Sequence, residues 1–326
     1  MKTVAFKDNA LAERGTGTAL YNYAFYNEKL LGNKSIILYD KLREDQNNLE
    51  VVQKFKDKFP VYGIEDFEEG DRILRSHDCN YLFIIEGGDQ TKMANGSPHQ
   101  SSFAKTCHQC VFNCDLPRGD VYCSISPSVK GNNGKYPVIP RMIDIDSSIK
   151  EDLRGKLNIP DTATVFGGYG GKGQFDIPIA RAAVDLIARQ RPDIYFLFAN
   201  FPRFCEEAPN IIHLPTIIDV KEKVKFINTT DAMLWARSDG ETFGQAIGEF
   251  SSMNKPVICC NPHSDRAHLD ILKEKAIMYY DIDSLVKILV GFQKNEMAKK
   301  DWNAYREFSP DKVMEKFNNV FLNHER

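Results

Sequence analysis

Short apolar runs alternate with longer segments of helical periodicity through most of the chain. Residues 3–7, 35–39, 61–64 and 81–85 are compact apolar stretches that predict strands, and 18–31, 48–59 and 67–77 between them predict helices. This is the rhythm of βαβ units, which build a parallel sheet with helices on both faces. Two more strands are expected at 106–112 and 121–126. The stretch 131–146, GNNGKYPVIPRMIDID, then breaks the pattern with glycine, asparagine and two prolines, and reads as a crossing between domains. Beyond it the rhythm restarts. Strands are expected at 164–168, 195–199, 211–214, 232–236, 257–260 and 276–279, and helices at 177–189, 219–227, 243–253, 268–274, 284–292 and 310–321. The expected architecture is α/β, with two Rossmann-like doubly wound parallel sheets in series.

Composition narrows the class by exclusion. A chain of 326 residues has room for two domains, and 42% hydrophobic with 27% charged residues describes a soluble globular protein. A formal net charge of −3 leaves no basic footprint for nucleic acid. No apolar run approaches a membrane-spanning length, and MKTVAFKDNA enters a strand without the apolar core of a signal peptide, so a cytoplasmic protein is expected. The eight cysteines are scattered and are expected to be reduced thiols. Cys107, His108, Cys110 and Cys114 hold enough sulfur and nitrogen for zinc. Strand alternation sends Cys107 and His108 to opposite faces, however, and no metal site is expected.

One segment carries candidate chemistry. In DAMLWARSDGETFGQAIGEFSSMNKPV, residues 231–257, Glu241 and Glu249 are separated by seven residues across a strand-to-helix junction. Glu241 is expected in the loop and Glu249 inside the helix, with the amides of Thr242, Phe243 and Gly244 at its N-terminus, where unpaired N–H groups favour a phosphate. An acid on each side of a phosphate seat suits a sugar nucleotide. One carboxylate can accept from sugar hydroxyls and the other from ribose hydroxyls. The plain alternative is two solvated surface acids. Arg237 and Asp239 stand at the carboxyl end of the preceding strand, and Arg237 is a donor-binding candidate.

Glu241-Thr242-Phe243-Gly244 to Glu249, followed by Lys255-Pro256-Val257, resembles the Glu-x7-Glu signature of GT-B glycosyltransferases, in particular the retaining family 4. That family reads E-G-F-G here, and Thr242 replaces the first glycine, a mild change at a helix start. The resemblance implies the GT-B fold: an N-terminal acceptor domain, 1–145, with a terminal helix within about 302–326 returning to it, and a donor domain, 146–301, facing it across a cleft. It also implies a glycine loop near donor phosphate and acceptor, matched by Gly15 and Gly17, which could equally form a plain turn. Family members carry Arg just after the first strand of the donor domain and Lys a few residues on. Lys172, beside Gly171, fits the second role, Gly168 stands at the first, and Arg237 is a candidate for the missing charge. His108 falls near a family histidine that contacts the donor sugar.

Expected from this resemblance is a glycosyltransferase that moves a sugar from a UDP- or GDP-sugar to a hydroxyl of a saccharide or glycoconjugate acceptor, with retention and without metal or other cofactor. Glu241, His108 and Lys172 are the catalytic candidates. Gly15, Gly17, Gly171, Lys172, Arg237, Thr242, Phe243, Gly244 and Glu249 are the donor-binding ones. A non-catalytic sugar-nucleotide-binding protein and a sugar-nucleotide epimerase of the same fold are the alternatives.

Overall fold

The computed structural model of the protein describes residues 1–12, 15–88, 100–171, 173–206 and 208–323. The chain forms two compact units, Met1–Met142 with Phe308–Arg326, and Ile143–Glu307.

The first unit runs β1 (Thr3–Asp8), α1 (Gly15–Lys29), β2 (Lys34–Asp40), α2 (Leu49–Lys56), β3 (Val61–Ile64), α3 (Phe67–Ser76), β4 (Tyr81–Glu86), β5 (Lys105–Cys110) and β6 (Val121–Ser124). All six strands pair in parallel, in the order β3-β2-β1-β4-β5-β6. β1 and β4 are buried almost throughout, as central strands of a parallel sheet covered on both faces are. One face packs Ala5, Ile36, Leu38, Leu82 and Ile84 against Leu74 of α3. Asn48 and Asp66 cap α2 and α3 through their side chains, as short polar residues do at helix starts.

The second unit repeats the design. It runs β7 (Thr164–Tyr169), α4 (Pro178–Gln190), β8 (Ile194–Ala199), β9 (Ile211–Leu214), α5 (Val220–Thr229), β10 (Ala232–Leu234), β11 (Gly240–Glu241), α6 (Gln245–Ser252), β12 (Val257–Cys259), β13 (Asp265–Arg266), α7 (Ala267–Leu272), β14 (Ala276–Met278), α8 (Ile282–Val290) and α9 (Lys294–Met297). The main sheet is parallel, in the order β14-β12-β10-β7-β8-β9. Counted within the unit this is again 3-2-1-4-5-6, so the strand order reverses between β7 and β10. In such sheets, ligands bind outside the carboxyl ends of the strands at the reversal.

The last helix, α10 (Pro310–Phe317), belongs to the first unit and continues as a π-helical turn, Asn318–Leu322. Phe317 seats it, with ring centroids 5.9 Å from Phe6, 5.7 Å from Tyr23 and 5.1 Å from Phe83.

Three local differences from the sequence pattern matter for the site. β7 runs through Gly168 to Tyr169 instead of stopping at 168. The helix expected from 243 begins at Gln245, because Gly244 ahead of it is left-handed, with φ 82°. β11 and β13 form an additional parallel pair, Gly240 with Asp265 and Glu241 with Arg266, after β10 and β12. Among the described residues no helix is long and apolar enough to cross a membrane.

Candidate active site

The Glu-x7-Glu segment lies at the carboxyl end of β10, beside the end of β7. Its turn is fixed by several independent ties. Asp176 accepts from the amide and the hydroxyl of Ser238, at 2.8 and 2.7 Å. Gly240 has φ 83°, and a Cβ there would lie 1.8 Å from the Asp265 carbonyl oxygen, so the β11–β13 pairing requires glycine. The buried Tyr305 hydroxyl donates to the Phe243 carbonyl at 2.8 Å, and the two rings meet edge to face with centroids 5.6 Å apart. The amides of Thr242, Phe243 and Gly244 therefore lie in a rigid turn ahead of α6, and the first amides of the helix itself are those of Gln245, Ala246 and Ile247.

The two glutamates occupy different environments. Glu241 is partly open, its side chain 19% exposed, and its Oε1 lies 3.3 Å from Arg237 Nη1. The Trp235 indole N–H donates to the same oxygen at 3.4 Å. Behind the indole lies His268, fully buried, with ring centroids 4.5 Å apart. Burial is the main cause that pushes the His268 pKa down to about 4, against smaller opposing effects of the Glu241 backbone and Asp270. Glu249, at 3% exposure, accepts from the Tyr169 hydroxyl, from Gln245 Nε2 at 3.1 Å and from Lys223 Nζ at 3.3 Å. Burial, and after it the Glu249 charge, push the Tyr169 hydroxyl well above its ordinary pKa, which keeps it a donor.

Between the ends of β7 and β10 the unit holds a recess lined by Tyr169, Gln174, Phe201, Trp235 and Glu241, among others. The Gly171 amide donates at 2.8 Å to Oε1 of Gln174, which lines the recess. Lys172 lies outside the described residues. Gly168 is interior to β7, and a Cβ there would lie 2.9 Å from the Leu234 carbonyl oxygen. The position has no room for an arginine.

The remaining candidates lie in the first unit. Gly15 and Gly17 form the first turn of α1, at the carboxyl end of β1. A Cβ on Gly17 would lie 2.4 Å from the Ala12 carbonyl oxygen, and one on Gly15 would lie 2.5 Å from the Arg141 guanidinium, so both glycines permit close packing. His108 is fully buried on β5, its Nδ1 3.2 Å from Glu86 Oε2, and Arg118 pairs with the same carboxylate. Burial alone would raise the Glu86 pKa, but His108 and Arg118 together hold it below the usual range. The Cys107 side chain meets the Cys123 sulfur at 3.8 Å. Among the described residues no group of three or more His, Cys, Asp or Glu could hold a metal ion.

The structure thus brings Gly171, Arg237, Glu241, Thr242, Phe243, Gly244 and Glu249 to one end of the second sheet. Gly15, Gly17 and His108 belong to the other unit. Sequence reasoning missed Tyr169, Lys223, Trp235, Gln245 and His268. Tyr169 had a signal, since an aromatic flanked by glycine pairs at a strand end is unusual, whereas Lys223 sits in a helix that reads as solvated.

No family model matches the sequence, and no curated protein sequence matches it significantly. Solved structures do match along the whole chain. A glycosyltransferase from Rickettsia africae superimposes with a TM-score of 0.69 at 14% identity, covering 99% of this chain and 100% of its own. HepE from Anabaena in complex with UDP-glucose gives 0.71 at 11% identity, covering 98% and 99%. A protein assigned as a UDP-N-acetylglucosamine 2-epimerase from Listeria monocytogenes gives 0.61 at 12% identity, covering 100% and 98%. With its two six-stranded parallel sheets of one topology and these neighbours, the chain has the GT-B fold.

Proposed function

We propose that this protein is a glycosyltransferase that moves a sugar from a nucleoside diphosphate sugar to a hydroxyl of a saccharide or glycoconjugate. The observation that carries this reading is the placement of Glu241 and Glu249 on either side of a rigid turn at the strand-order reversal of the second sheet. The amides of Thr242, Phe243 and Gly244, with Gly171 and Lys172, receive the diphosphate, and Arg237 adds the positive charge that Gly168 does not provide. Glu241 orients the sugar. The bond from the anomeric carbon to the diphosphate breaks with charge build-up on the departing phosphate, which amides and cations stabilise. The acceptor oxygen takes the anomeric carbon, and its proton passes to the departing phosphate. We assign retention on the strength of the Glu-x7-Glu resemblance, and His108 and the loop of Gly15 and Gly17 to the acceptor side. The complex of HepE with UDP-glucose favours a UDP-sugar as the donor.

The test is incubation with UDP- and GDP-sugars and a panel of acceptors, following nucleotide release and the anomeric configuration of the product. A protein that binds donor yet shows neither hydrolysis nor transfer with any acceptor is a binding protein. The epimerase-like neighbour supports a second reading, isomerisation of the donor. It is recognised by a changed sugar nucleotide in the absence of any acceptor.

A further inference from the structure

Side chains from three different elements converge on the Glu249 carboxylate. Gln245, one turn earlier on α6, donates to Oε1 at 3.1 Å. Lys223 of α5 lies 3.3 Å from each oxygen, and the Tyr169 hydroxyl at the end of β7 donates to Oε2. An ionised carboxylate offers about four lone-pair sites, and these three hydrogen bonds leave it acceptor capacity for a ligand hydroxyl. Lys223 also supplies the opposite charge that a buried carboxylate needs.

Of the three donors, Tyr169 is the one built into the frame of the site. Its ring packs on Phe226 of α5 and Phe250 of α6, with centroids 5.6 and 5.5 Å away. The chain then runs directly into Gly170 and Gly171, where Asn200 Nδ2 donates to the Gly170 carbonyl at 2.6 Å and the Gly171 amide donates to Gln174. One strand end therefore sets both this glycine loop and the orientation of Glu249. A hydroxyl on a ring locked by two others has few rotamers to lose, so it fixes the carboxylate more firmly than the flexible chain of Gln245 does. It also stays protonated, because burial and the Glu249 charge push its pKa up.

We infer that Tyr169 is a positioning residue that holds the remaining acceptor capacity of Glu249 toward the ribose hydroxyls of the nucleotide. This rests on the donor-site reading above. Tyr169 acts through Glu249, so its removal is felt only by a ligand that has ribose hydroxyls to offer.

Calorimetric titration of the whole protein tests this, with UDP, GDP and the 2′,3′-dideoxy form of whichever binds. The wild type should prefer the ribonucleotide about tenfold or more, the scale of a hydrogen bond to a charged group. Y169F keeps the ring and its packing and removes only the donor. It should weaken the ribonucleotide about tenfold, while the dideoxy form stays within about threefold of its wild-type affinity. E249Q should lose the preference as well, and Y169F/E249Q should bind the ribonucleotide no worse than E249Q alone, because the two residues act as one unit. If Y169F does not fold, Y169M carries the same comparison. A loss shared equally by both nucleotides would make Tyr169 a structural residue and overturn the inference, as would an unchanged ribose preference in Y169F. A wild type that binds nucleotide with no ribose preference overturns it too, and leaves the donor site standing. Failure of the wild type to bind any nucleotide sinks the donor-site reading itself.

Discussion

Arg237 Nη1 lies 3.3 Å from Glu241 Oε1, and the Trp235 indole donates to that same oxygen at 3.4 Å, so the acid is oriented from two sides. Glu241→Gln keeps the shape but replaces an acceptor oxygen by a donor. Turnover should fall on the order of 10²-fold, the scale of a misplaced reactive group, while affinity for free nucleotide stays within a few-fold. Measuring kcat beside the nucleotide Kd checks this. Equal losses in both would make Glu241 a nucleotide ligand.

The turn that presents Glu241 depends on Gly240. Gly240→Ala meets the Asp265 carbonyl at 1.8 Å and forces a non-glycine residue to φ 83°. The variant should lose at least about 2 kcal/mol, roughly 4–8 °C in melting temperature for a unit of this size. Both tryptophans, Trp235 and Trp302, belong to Ile143–Glu307, so their fluorescence reports this unit alone. An unchanged melt would mean that the β11–β13 pair is dispensable.

Much of this site was legible before its geometry. The alternation of strands and helices predicts both sheets, and the spacing from Glu241 to Glu249 places one acid ahead of a helix and the other within it. Gly168 was harder, because a glycine carries no side chain to mark a strand. It reads as the last residue of the strand, where the resemblance expects an arginine, whereas β7 runs on to Tyr169 and a Cβ at Gly168 would lie 2.9 Å from the Leu234 carbonyl oxygen. Lys223 was hidden for another reason. The run Val220-Lys221-Glu222-Lys223 reads as a solvated helix start, and its partner lies 26 residues further on. Such a pairing exists only once α5 and α6 stand side by side.

The thiols offer a check on the packing of both units. All eight cysteines are free and every one except Cys205 is buried. Burial pushes the Cys79 and Cys114 thiols up to about 11, so they are protonated as well as inaccessible. An aromatic disulfide reagent at pH 8 should titrate Cys205 promptly in the native protein and all the thiols after denaturation without reductant. A second fast native thiol would contradict the packing around β5 and β6 or around β12.

His268 gives the second unit a defined pH dependence. Its pKa is about 4 in the folded protein, chiefly because burial disfavours the imidazolium, against an ordinary value of 6.5. Between those values the unfolded chain binds a proton that the folded one refuses. Stability is therefore lost as pH falls from about 6.5 toward 4, by at most roughly 3 kcal/mol, and this group contributes no slope above about pH 7. His268→Phe keeps an aromatic ring against Trp235 and removes the titration. Denaturant unfolding followed by tryptophan fluorescence at pH 7 and pH 4.5 should show a smaller drop for the variant. Equal drops in the two proteins would mean that His268 takes up its proton without unfolding, which a fully buried ring packed on the indole does not allow.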